Sequence, residues 1–312
     1  MNASNHENTS ECTMELVPGA PFFAINVLLA LVGTIGNLLI IFAVLYTHQL
    51  RQKSSNFLLL SLAVADLLVT AGSQPLFAAW MGMLTFSHRC HSELVLVFSI
   101  IAPFSGSSSV LHLAAISLDR AIFALKPRRH HPIMKKGVKV LVAVCWIIAA
   151  ILTCLLVPFP PVRIAVLGLF AVCFIIMLCS YGLILYKIAK SSSTVLPSNE
   201  TQEMSLEKRV SATIAIIILL FLICWAPFFV YLPSAGQVSP NKDIHFWWIG
   251  TLYMSNSSMN FVVYSLGMRH FRAAYVAIFR KIKRGLCNCC SNDDDRDGAT
   301  KEGTEGTYVS TL

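Results

Sequence analysis

Charge is what this sequence has least of. Only 13% of its 312 residues are Asp, Glu, Lys or Arg, where an ordinary soluble domain carries about 25%. The scarcity is concentrated in blocks: residues 21–50, 54–88, 94–118, 140–162, 164–186, 210–241 and 244–268 hold no charge except Asp66. Each block exceeds the ~20 residues a helix needs to cross ~30 Å of hydrocarbon. Soluble cores do not repeat uncharged runs of this length, so a large buried helical core in water is excluded. A basic-then-apolar leader is also lacking. Residues 1–20 are polar and acidic, without the pattern of a cleavable signal, so the first apolar run serves as the targeting element. No internal repeat is visible, which counts against transporter folds built from paired halves. Nor does any set of His, Asp or Ser suggest a metal or nucleophile for a membrane enzyme, and the chain is read as a non-enzyme. His130-His131 reads as a solvated loop pair.

What is present predicts an all-α membrane protein: a seven-transmembrane helix bundle with a short amphipathic cytoplasmic helix. The expected divisions are a tail at 1–20, the bundle at 21–267, a membrane-surface helix at 268–286 and a disordered tail at 287–312. Basic residues in short loops set the orientation. Of 24 Lys and Arg, none precedes Arg51, and only Arg89, Arg163 and Lys242 fall on the tail's side. The tail is therefore expected outside the plasma membrane and the C-terminus inside. The net charge of +8 then faces anionic lipid and protein partners. Its spread over membrane-proximal loops does not read as nucleic-acid binding. Beyond the last run, Phe271, Tyr275, Ile278, Phe279 and Ile282 recur at helical spacing between basic residues, the pattern of a helix lying on the inner membrane surface.

Orientation also sorts the modification sites. Asn2 and Asn8 head glycosylation triplets on the outer tail, whereas the triplet at Asn199 falls in the cytosol. Cys12 and Cys90 are the only outer cysteines, and a disulfide between them is expected. Cys287, Cys289 and Cys290 follow the last span in a reducing compartment without a fourth zinc ligand, which fits palmitoylation. The closing Ser310-Thr311-Leu312 fits a C-terminal ligand for a PDZ domain.

Polar groups inside a span need a reason, since a mid-helix Asp costs about 2.5–3.5 kcal/mol on the insertion scale. Asp66 must face the interior, with Asn37, Ser109, Asn256 and Asn260 as oxygen-bearing neighbours at similar depth. Asn256 and Asn260 stand four apart, on one helix face. Such oxygens suit a small hard cation; equally, they suit hydrogen-bonded glue between helices, and spacing leaves both readings open. Asp119-Arg120 lies where the third span meets the cytosol and Glu207 opens the sixth on the same side. Arg120 can pair with either carboxylate. Cys224-Trp225-Ala226-Pro227 sets a proline, and hence a kink, beside a bulky indole.

Taken together, these residues resemble the rhodopsin-like G protein-coupled receptor family over about residues 30–275. The match runs through Gly36-Asn37, Leu62-Ala63-Val64-Ala65-Asp66, Ser117-Leu118-Asp119-Arg120, Pro127, Trp146, Tyr181, Glu207, Phe221, Cys224-Trp225-Ala226-Pro227, Asn260-Phe261-Val262-Val263-Tyr264 and Phe271-Arg272. The resemblance implies a sodium pocket at Asp66, Ser109, Asn256 and Asn260, with sodium as an allosteric modulator. It implies that Arg120 engages a heterotrimeric G protein, that Trp225 is a toggle beneath the ligand, and that Tyr264 moves inward on activation. Departures stand out. Ala121 follows Asp-Arg in place of tyrosine, Phe261 replaces a proline, and Cys173 stands where the fifth helix commonly has one. The cysteine-free second outer loop and proline-free fifth helix resemble melanocortin receptors. Ala121 and Phe261 also admit a receptor fold that no longer couples.

By the same resemblance, Ala102 occupies the position where amine receptors carry an aspartate, which argues against an amine ligand. No lysine in the seventh helix is available for retinal. The expected pocket lining (Ala102, Gly106, Trp225, Phe228, Phe229, Gly250 and Met254) is largely apolar and favours a weakly polar or lipid-like small molecule. The short outer loop leaves a small peptide open. A transporter or channel is the remaining alternative, though the polar groups gather at one depth.

Overall fold

The computed structural model describes residues 13–156, 158–159, 161–191, 216, 219–231, 243–267 and 271–280. Its helices follow the apolar runs. They are α1 (Leu16–Tyr46), α2 (Asn56–Ser87), α3 (Ser92–Leu125), α4 (Pro127–Leu156), α5 (Val162–Ser191), α6 (Leu219–Tyr231), α7 (Ile244–Gly267) and α8 (271–280). Among the described residues, α1 to α5 each contain a segment long and apolar enough to cross a membrane. α7 has the length, and its polar share comes from Ser255, Asn256, Ser257, Ser258 and Asn260, all of them buried. The large side chains turned outward are apolar, among them Leu28, Leu31, Ile35, Ile147, Ile151 and Ile175. An apolar surface of that extent is a lipid-facing one.

α3 is the axis. Every residue from 105 to 117 is buried, because α2, α4 and α5 all pack on it. Gly106, Ala114, Ala115 and its serines are small enough to let those helices approach. The same crowding buries His112 completely. Its Nδ1 lies 2.7 Å from the Ser108 carbonyl, which can only accept, so Nδ1 carries the proton. Nε2 then accepts from Ser61 at 2.7 Å, and Ser61 Oγ accepts from Trp146 Nε1 at 2.9 Å. One hydroxyl thus joins α2, α3 and α4 and satisfies two buried nitrogens. Ser61→Ala orphans both, at about 1–3 kcal/mol for each in water-soluble proteins and toward the low end inside a membrane. The expected loss is about 2 kcal/mol of unfolding free energy, read by thermal melting of the purified chain.

α2 departs from regular helix at two π turns, Val69–Ser73 and Met83–Ser87, and stops at His88, whose φ of 50° is left-handed. Each π turn inserts a residue and rotates everything beyond it. α4 corrects an expectation: residues 127–139, read as a loop, are helical and continuous with the fourth span. Pro127 at the first helical position supplies a helical φ and needs no partner for an N–H. Met134 and Val138 bury the inner face. α4 ends at Leu156 and α5 begins at Val162, so only a short connection separates these two helices.

Candidate functional site

At mid-depth, Asp66 is 1% exposed and accepts from Ser109 Oγ and from Asn260 Nδ2, each at 2.8 Å. Ser257 stands near it on α7. The carboxylate therefore ties α2 to α3 and α7. Asn37 donates to the Ser257 carbonyl at 3.2 Å and brings in α1. Asn256 is buried, yet its Oδ1 has no hydrogen-bond partner, and the same is true of Asn37 Oδ1. Ser109 and Asn260 reach the carboxylate directly and Asn37 joins through Ser257, while Asn256 is buried one turn before Asn260.

At the inner end, Asp119 is 1% exposed and Arg120 22%. Arg120 lies 2.7 Å from Asp119 Oδ2, a charge contact without hydrogen-bond alignment. The other oxygen, Oδ1, is better held: Ser55 donates at 3.1 Å, and His130 Nε2 sits at 2.7 Å. His130 is thus no solvated loop residue. It is half-buried, edge-on to Phe123 with ring centroids 5.1 Å apart, because the helical start of α4 turns it inward. Glu207 lies outside the described residues, and Tyr181 is half-buried against the core on α5. Tyr264 is on the α7 backbone, four residues beyond Asn260.

The aromatic residues divide into two groups. Trp225 is buried among Phe170, Phe221, Phe228 and Tyr253, with centroids 5.4 to 5.6 Å away. A Cβ on Gly106 would come within 3.9 Å of its ring. Phe229 joins through Phe170 and Phe174, and Pro227 is half-buried in the same helix. Gly250 and Met254 belong to a second group with Phe77, Trp80 and Trp247. Ala102 is buried on α3. The expected lining is therefore two adjoining clusters bridged by Tyr253, which packs against both.

Sequence reasoning missed Ser55, His130 and His112. His112 had a signal, being an ionisable side chain in the middle of a charge-free run. The signal for His130 was indirect, since its burial depends on α4 starting at Pro127. Cys90 is disulfide-bonded. Asn2, Asn8, Cys12, Cys287, Cys289, Cys290, Ser310 and Leu312 lie outside the described residues.

The sequence matches the family described as 7 transmembrane receptor (rhodopsin family) over residues 36–163 and 160–264. That is most of the chain. The chain belongs to the rhodopsin family of seven-transmembrane receptors. It is similar to human cannabinoid receptor 2, 24% identical over 89% of this chain and 84% of that one. Human melanocortin receptor 3 is 26% identical over 92% and 90%. Mouse alpha-1D adrenergic receptor is 25% identical over 92% of this chain and 61% of its own length. As a member of this receptor family it is a multi-pass membrane protein and a G protein-coupled receptor. The Asp119-Arg120 pair lies in the last two turns of its central helix, and the Asp66 cluster ties its middle together.

Proposed function

We propose that this receptor sits in the plasma membrane with its tail outside and loads a heterotrimeric G protein when Arg120 is released on the inner face. One observation carries the reading: Arg120 lies in the last two turns of the central helix, held to a buried carboxylate by a single unaligned charge contact. A weak restraint on a cation that faces the cytosol is what a switch between two states requires. Ligand acts by binding the active state better, and moving the ratio from 1:99 to 99:1 takes about 5.5 kcal/mol of differential binding. The cluster around Trp225 offers the ligand an apolar floor, which favours a weakly polar or lipid-like small molecule, with a small peptide as the second reading. Packing of Trp225 on both Phe221 and Phe228 gives ligand contact a direct route along α6.

The Asp66 layer suits a sodium ion. Asp66, Ser109, Asn256 and Asn260 supply hard oxygens, and the unpartnered Asn256 Oδ1 is an acceptor awaiting a positive partner. When bound, the ion supplies the positive charge that a buried carboxylate lacks. Met14 N donates to Leu84 O at 3.2 Å, bringing the end of the tail to the outer end of α2. That supports Cys12 as the partner of Cys90. Glycans at Asn2 and Asn8, acyl chains at Cys287, Cys289 and Cys290, and a PDZ partner at Ser310 to Leu312 complete the proposal.

The test is G protein activation in transfected cells without added ligand. Arg120→Ala is expected to lower basal signal about tenfold, while Glu207→Ala, which removes the other carboxylate that the sequence offers to Arg120, is expected to raise it about two- to fivefold. Equal signals from all three chains at equal surface expression count against the reading.

A further inference from the structure

A second polar layer lies about two turns beyond Asp66 on α2, toward the end of the bundle that carries the tail. Asn26, Gln74 and Thr251 join α1, α2 and α7 there, and the first two are completely buried. Its hydrogen bonds fix which way each group points. Thr251 Oγ1 donates to the Trp247 carbonyl at 2.9 Å and accepts from Asn26 Nδ2 at 2.8 Å. The other Nδ2 proton of Asn26 goes to the Phe22 carbonyl at 2.9 Å. Asn26 Oδ1 is therefore the atom that faces Gln74, whose Nε2 donates to it at 3.5 Å, the outer limit of such a bond. The flipped carboxamide would set oxygen against oxygen. Gln74 Oε1 is thus turned away, and among the described residues it has no partner. Trp247 Nε1 is the complementary case, a donor on a completely buried residue that meets no acceptor among them. Phe77 links the two. It follows Gln74 by one turn on the buried face of α2, and its ring lies 5.0 Å from that of Trp247. An unmade donor and an unmade acceptor, each costly when buried, thus flank one aromatic ring beside Gly250.

We propose that Gln74 and Trp247 select the head group of the ligand: Gln74 Oε1 accepts a hydrogen bond from it and Trp247 Nε1 donates one to it. The apolar part of the ligand then runs past Phe77 and Tyr253 toward Trp225. A hydroxyl or a primary carboxamide carries both a donor and an acceptor, so either satisfies both atoms. A carboxylate has no proton for Gln74, and an ammonium has no lone pair for Trp247. Either would also bring a charge among Asn26, Thr70, Gln74 and Thr251, buried side chains of which none is ionic, at a large desolvation cost. The ligand class is an uncharged amphiphile. This inference rests on the reading of the Trp225 cluster as an apolar floor for ligand, and it adds the polar contact that discriminates among apolar-tailed molecules.

The experiment uses the full chain in nanodiscs without G protein, and reads thermal melting against rising decanamide, decanol, decanoate or decylamine. Decanamide and decanol are expected to raise the melting temperature; decanoate and decylamine are not. Gln74→Met keeps the side-chain length without the acceptor, and is expected to weaken decanamide about tenfold, the share of one hydrogen bond. A second readout needs no altered chain to bind anything. The indole N–H resonance of Trp247, identified as the signal that Trp247→Phe removes, should move downfield with decanamide and stay in place with decylamine. A decanamide affinity unchanged by Gln74→Met, or an indole signal that decanamide does not move, overturns the head-group site and leaves the apolar floor standing. Equal shifts from all four probes do the same. No shift from any probe sinks the apolar-ligand reading, and the inference with it.

Discussion

Asp66→Ala is expected to lower the unfolding free energy of the purified receptor by about 2–4 kcal/mol, because it strands two buried donors at about 1–3 kcal/mol each. Those donors are Ser109 Oγ and Asn260 Nδ2, which reach Asp66 from different helices at 2.8 Å. The substitution also removes a costly buried acid, which is why the loss stays well below what two charged hydrogen bonds lost outright would give. Asp66→Asn separates shape from charge. It keeps an acceptor oxygen for one donor and is expected to cost less than the alanine. It should nevertheless abolish any stabilisation by sodium chloride over choline chloride. A ligand at tenfold its Kd adds about 1.4 kcal/mol, a shift that thermal melting resolves easily. An unmodified chain that melts alike in both salts, with the loss in Asp66→Ala still present, would leave Asp66 as hydrogen-bonded glue, the other reading that spacing left open.

Gly36→Leu is expected to cost more than either, with little folded receptor reaching the cell surface. A Cβ at residue 36 would overlap the Phe261 ring at Cβ, Cγ and Cδ1. None of these is the far end of a flexible chain, so α1 must move away from α7. Overpacking of this kind typically costs about 1–3 kcal/mol, and here it also strains the Asn37 bond to Ser257 next door. A surface-expression assay reads the loss. The paired change Gly36→Leu with Phe261→Ala should recover part of it, since the smaller side chain vacates the space. No recovery would show that Gly36 serves something other than this contact. The same contact accounts for Phe261. In place of the proline usual in similar receptors, it keeps its backbone N–H, α7 runs on as helix to Gly267, and its ring fills the groove over Gly36 toward Tyr275.

The membrane runs were legible because hydrocarbon excludes charge, a constraint that needs no knowledge of packing. Asp66 and its partners were legible for the same reason: a polar group that pays to be buried must find others at its depth. Depth could be counted along the sequence, and Ser109 and Asn260 are where the count puts them. Direction was harder. The first π turn of α2, Val69–Ser73, rotates the helix beyond it by an amount no periodicity reveals, and Phe77, four residues on, packs against Gly250 in a group apart from Trp225. The inner end of α4 was misjudged because its many charges read as loop. Pro127 and the apolar pair Met134 and Val138 were the signals for helix. Once those residues are helical, His130 turns inward, and a histidine expected in solvent becomes a partner of the buried Asp119.

The central claim is that release of Arg120 on the inner face loads a G protein. Nucleotide exchange by a purified heterotrimer tests it most directly, with the receptor in nanodiscs and compared with Arg120→Ala and with empty nanodiscs. The account predicts exchange above the empty nanodiscs for the unmodified chain, more for Glu207→Ala, and about a tenth of the unmodified signal for Arg120→Ala. Exchange that persists undiminished in Arg120→Ala, or a Glu207→Ala chain no more active than empty nanodiscs, would contradict it.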